Sequence, residues 1–331
     1  MPEGQPLNIQ TIEQDIKKGK RKPEVSFFFS AHGNLEDYTG IEQELSDADV
    51  FVVESHGWNE EDLQYLQEIS NGIKEPKHIT ENRPPKDVLE YEEELLYKTN
   101  KKVEIIDVPE GHELDKKDDG TGEYINIVGR FISNGDLSEA LEALKESTQQ
   151  NASYLDEKDK YLEGRLRDLL EQLQKEHEKM PKVLVQMGSS HINFSHSFRR
   201  SKEGKISQNT IKYDFLDELV RHYRFNKEPS NELITRALAE EIILQLFGEE
   251  LSHVPYLKRN TFFRQLLTKL DDSDLTEIGR QTESEYFQKV IMNNEDDNLE
   301  LNRSILNNAW KNITGIDLLS EINNLISEQD N

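Results

Sequence analysis

The chain has 331 residues, enough for one large domain or two ordinary ones, and 40 Lys and Arg against 66 Asp and Glu give it a net charge of −26. Such a surface repels phosphate backbones and anionic bilayers, so nucleic acid and membrane are both disfavoured as partners. Cysteine is absent, which excludes disulfides, thiolate zinc sites and a thiol nucleophile.

Residues 1–24 read as a polar leader whose basic run, Lys17–Lys22, is a solvated arm. They hold no apolar signal core, and no uncharged apolar stretch in the chain is long enough to cross a bilayer, so the expected setting is cytoplasmic. Val25–Ala31 (VSFFFSA) is short, aromatic and β-branched, and reads as a buried strand broken by His32-Gly33-Asn34. A helix near Ile41–Leu45 precedes a second strand, Asp49–Glu54. The next segment opens with Asn59 as N-cap, carries acids in its first turn and closes on Asn71-Gly72, the pattern of a helix. Beyond Pro84-Pro85, a helix over Asp87–Thr99 leads to a third strand, Lys102–Val108, and a surface loop, Glu110–Glu123. Helices over Leu137–Ser147 and Leu155–Lys179 then precede a fourth strand, Lys182–Met187.

Strands alternating with helices predict an α/β fold, a mainly parallel sheet flanked by helices. Beyond residue 205 the spacing turns helical, at Asn231–Glu250, Thr261–Leu270, Glu283–Asn293, Arg303–Asn312 and Asp317–Ile326, with no further strand of comparable strength. The expected division is a leader (1–24), an α/β domain (25–205) and a C-terminal helical subdomain (206–331).

In an open parallel sheet the carboxyl ends of the strands face one crevice, where ligands bind. Each strand delivers an ionisable residue there: His32 after the first, Glu54 and then His56 after the second, Asp107 after the third, and His191 after Gly188 and two serines that follow the fourth. Asp107 is expected to cap a following helix rather than act. Two imidazoles and a carboxylate, His32, His191 and Glu54, suit a divalent metal such as zinc, manganese or iron that activates water. They equally suit a histidine general base tuned by Glu54 without metal. Both chemistries are hydrolytic.

The segments FSAHGN, DVFVVE, EGRLRDLLEQL and VLVQMGSSH, in that order, resemble the TraB/TIKI-type and erythromycin-esterase/ChaN-like superfamily over roughly residues 25–195. Gly188-Ser189-Ser190-His191 matches its second histidine motif. In the first, Phe29 stands where TraB-type sequences have glycine, and His32-Gly33 with Glu36 is closer to the esterase-like version. The resemblance implies that His32 and His191 are paired site histidines, Glu54 the site acid, and Arg165 the arginine of the preceding helix. It also implies metal-assisted cleavage of a peptide or ester bond in a small-molecule or peptide substrate. The alternative is a non-catalytic module that keeps the fold and uses the crevice for a ligand or partner.

Three weaker groups complete the candidates. His196, Arg199 and Arg200 sit where they could clamp a substrate anion. His112, Glu113 and Asp115 have ligand-type side chains in a setting that reads as a solvated turn. His177 has no expected partner.

Overall fold

The computed structural model describes residues 24–30, 38, 40–117, 137–176, 181–200, 204–208, 214–252, 254–282 and 296–327. Five strands, β1 (Glu24–Ser30), β2 (Val50–Val53), β3 (Lys102–Ile105), β4 (Lys182–Gly188) and β5 (Gly204–Gln208), form one sheet in the order β3-β2-β4-β1-β5. Every pairing is parallel. The α/β reading therefore holds, with one strand more than the sequence suggested. β5, of sequence GKISQ, straddles the 205/206 boundary and is an edge strand beside β1, which is why it lacks the apolar run of a central strand.

Side chains alternate across the sheet, as the two-residue period of a strand requires. Val25, Phe27 and Phe29 of β1 join Val50, Val52, Val183, Val185 and Met187 on one face; Phe28, Phe51, Val53 and Leu184 point to the other. Helices α1 (Ile41–Asp47), α2 (Glu60–Ser70) and α4 (Val88–Thr99), with the short α3 (Lys77–Thr80) between the last two, follow β1 and β2; α1, α2 and α4 cover the second face. Helices α5 (Leu137–Glu176) and α6 (Ile192–Arg200) cover the first. Connections toward β3 thus run on one face and connections toward β5 on the other. All four crossovers consequently share one hand, as the preference for right-handed units demands.

Local chemistry sets the helix ends. Asn59 caps α2 by accepting from the backbone N–H groups of Glu61 (2.8 Å) and Asp62 (3.3 Å), while the Asp62 carboxylate accepts from the Asn59 N–H at 2.9 Å. Asp87 caps α4 by accepting the Glu90 N–H at 2.9 Å. Asn100, at φ 52°, ends α4 in the left-handed conformation that asparagine tolerates. The segment holding His196, Arg199 and Arg200 is helical, as α6. Its apolar Phe194 and Phe198 pack on Phe27, 5.6 and 5.5 Å between ring centroids.

Two helices expected before β4 are one 40-residue helix, α5, about 60 Å long. It serves two cores. Leu162, Leu166, Leu170 and Leu173 pack on the sheet, whereas Ala140 and Leu144 belong to a helical core. That second core is built with α7 (Phe215–Arg224), α8 (Asn231–Ser252), α9 (Tyr256–Leu267), α10 (Asp272–Thr282), α11 (Asp296–Thr314) and α12 (Leu318–Ser327). The C-terminal helical unit is present as expected, but it also recruits the first turns of α5. The helix expected over Glu283–Asn293 lies outside the described residues.

Among the described residues no helix is long and apolar enough to cross a membrane.

Candidate functional site

The strand order creates a switch point. From β2 the chain departs toward β3 on one face, and from its neighbour β4 it departs toward β5 on the other, so a crevice opens at their carboxyl ends. Glu54 directly follows β2, and His191 follows β4 through a single 3₁₀ turn, Ser189–His191. The two meet: His191 Nε2 lies 2.9 Å from Glu54 Oε1. The other Glu54 oxygen accepts the Gly188 N–H at 2.6 Å, which fixes the carboxylate across the crevice.

Further charges surround this pair. Lys158 of α5 donates to Glu54 Oε1 at 3.1 Å and reaches Asp107, after β3, at 3.0 Å. Asp159, the next residue of α5, faces His191 Nδ1 at 2.5 Å. Its second oxygen accepts from Arg224 of α7 at 2.5 Å. Arg224 also donates to Asp156 at 2.8 Å and to the Ser190 carbonyl at 2.5 Å, tying the 3₁₀ turn to the helical unit. Asp107, Lys158, Asp159, His191 and Arg224 are all buried. The carboxylates of Glu54, Asp107 and Asp159 balance the cations of Lys158, Arg224 and a protonated His191, which is the condition for keeping ionised groups out of water.

Electrostatics support that protonation state. Burial alone pushes the His191 imidazole down, but the adjacent Glu54 and Asp159 carboxylates outweigh it and carry its pKa up to about 9. Lys158 behaves alike: burial lowers it, Glu54 and Asp107 raise it, and the net shift is upward. His191 is thus an imidazolium at neutral pH, donating to a carboxylate from each nitrogen.

Of the expected site residues, Glu54 and His191 come together as the strand ends suggested. His32 and His177 lie outside the described residues, as do the side chains of Arg199 and Arg200. Ser30, the last residue of β1, pairs with Gly188, so β1 ends at this same edge. Arg165 is exposed on α5, seven residues and about 10 Å along the helix from Lys158, the cation that contacts Glu54. Phe29 is packed with Phe27 in the core of the first face, ring centroids 6.2 Å apart. Asp107 caps no helix among the described residues; its carboxylate accepts the Val108 N–H at 2.7 Å and pairs with Lys158, and the described residues that follow, through 117, form turns. His56 reaches Asp115 at 3.5 Å, and His112 Nδ1 accepts the Leu114 N–H at 3.1 Å; both tie down the loop after β3.

Lys158, Asp159 and Arg224 were not singled out from the sequence. A signal existed for Asp159: positions 159, 162, 166, 170 and 173 form one stripe at helical spacing, leucine at all but the first. An acid on an otherwise leucine stripe demands a buried partner.

As placed, Glu54 and His191 hold their donor atoms against other charges: both ring nitrogens of His191 face carboxylates, and Glu54 Oε1 faces the Lys158 ammonium, so a divalent ion would have to displace these contacts. Among the described residues no three His, Asp or Glu side chains converge on a position for a metal. No family model, no curated protein and no solved structure matches the chain.

Proposed function

We propose that the crevice above β2 and β4 is a hydrolytic centre of the TraB/TIKI and erythromycin-esterase type, cleaving a peptide or ester bond in a small-molecule or peptide substrate in the cytoplasm. The supporting observation is the contact between Glu54 and His191 at the switch point of the sheet, with Asp159 behind the imidazole. A carboxylate base and an imidazolium acid side by side are the two groups that hydrolysis of an acyl bond requires.

Glu54 takes a proton from water as its oxygen bonds to the substrate carbonyl carbon. His191 gives its Nε2 proton to the departing alcohol or amine, and Asp159 holds the ring through Nδ1. Lys158, against Glu54, adds positive charge where the carbonyl oxygen becomes anionic. The proton held by Glu54 then returns to His191, across the 2.9 Å that separates them at rest. Substrate has to enter between the two groups, since His191 is only 2 % exposed.

The same burial favours a second reading, a ligand- or partner-binding module in which the network is purely structural. The two separate in one experiment. Turnover of ester and peptide panels is measured with and without chelator for wild type, Glu54→Gln and His191→Gln, alongside melting temperatures. The hydrolytic reading expects chelator-resistant turnover that falls at least about 100-fold in either variant while the protein stays folded. Absence of wild-type turnover, loss of turnover with chelator, or variants as fast as wild type defeat it.

A further inference from the structure

A second concavity lies apart from the strand ends. Glu218, Arg221, His222, Phe225, Lys227 and Arg264 line a cleft of about 330 Å³, the size of small-molecule sites. Its charge opposes that of the molecule. Arg221, Lys227 and Arg264 against the single carboxylate of Glu218 leave a net +2, His222 not counted, on a chain of net charge −26.

The cations come from different segments. Arg221 and His222 sit in the last turn of α7, Lys227 lies beyond its end, and Arg264 is brought in by α9. Basic side chains in a last turn complement the helix dipole. That rule does not place Lys227 or Arg264 here. Arg264 is held by Glu218 at 2.5 Å and lies over the Phe215 ring, 4.8 Å from its centroid. His222 donates from Nδ1 to the Glu218 carbonyl at 2.9 Å, which fixes the ring. Phe225, 42 % exposed, adds a flat apolar face beside the Arg221 guanidinium. A cationic floor, a prepositioned guanidinium and an open aromatic ring suit an oxyanion attached to a planar apolar group. The net charge of +2 matches the dianion of a phosphate monoester rather than a monoanionic carboxylate.

We propose that this cleft binds a small aromatic phosphate monoester. Calorimetric titration of the full chain with phenyl phosphate, inorganic phosphate and benzoate at low and high salt tests it without reference to hydrolysis. Saturable one-to-one binding is expected, tightest for phenyl phosphate, weakened by salt, and at least tenfold weaker in Arg221→Gln/Lys227→Gln at unchanged melting temperature. Should the double variant melt lower, Lys227→Gln alone, at an exposed position, is expected to weaken phenyl phosphate at least threefold. No saturable binding, benzoate equal to phenyl phosphate, or affinity unchanged in the variants overturns the assignment.

Discussion

His191 shows how a residue that ordinarily titrates near neutrality becomes a fixed charge. Its folded pKa, raised to about 9, stands above the ordinary 6.5, so its stabilising contribution is complete below about pH 6.5 and fades as pH climbs through 9. The melting temperature of wild type is expected to fall between pH 7 and 9.5, and that fall to shrink in His191→Gln; equal slopes in the two proteins contradict the assignment. Lys158 offers a complementary case. Lys158→Met leaves Glu54 and Asp107 buried without their cation, at a cost of about 3–5 kcal/mol, read as a lower urea midpoint at unchanged slope. A midpoint within error of wild type removes Lys158 from the network. Glu54 and His191 were legible in the sequence because each follows an apolar run that could only be a strand. Lys158 was not, since a lysine on a helix in a chain that is 32% charged carries no mark of burial. Arg224 was equally hidden, because its partners come from another helix and a distant turn.

At the scale of elements, the central strands and the edge strand β3 announced themselves and the edge strand β5 did not. β1, β2 and β4 are apolar on both faces because helices cover both, and such runs read directly as strands. β5 needed only a polar edge sequence, and its strand character comes from pairing with β1 rather than from its own composition. Its first residue carries a specific constraint. A Cβ at Gly204 would stand 2.8 Å from Phe27 and 3.1 Å from Phe198, both buried, so Gly204→Ala is expected to destabilise by about 1–3 kcal/mol in chemical denaturation. A neutral outcome means that β5 packs less closely than described. The division of α5 into two helices failed for a related reason: the polar run between its two apolar stretches resembles a linker, but Thr148 and Ala152 within it are buried and both ends are anchored in cores that hold it as one helix.

Across the whole molecule, alternation of strand and helix was enough to anticipate a parallel sheet, whereas the order β3-β2-β4-β1-β5 depends on which face each helix covers and was not readable. That order places Glu54 and His191 in adjacent positions at the switch point. The helical unit is part of the site through Arg224 and shares α5 with the sheet, so the two halves stabilise one another. A chain ending at residue 210 loses Arg224 and uncovers Ala140 and Leu144, and is expected to lack a cooperative thermal transition; a sharp wild-type-like transition contradicts this coupling. The most direct test of the account is the protonation of His191 in the full chain, followed by nitrogen-15 NMR of its imidazole against pH. Both ring nitrogens are predicted to carry protons at pH 7 and to lose one near pH 9; a neutral ring at pH 7, with one nitrogen bare, contradicts the buried acid–base pair at its centre.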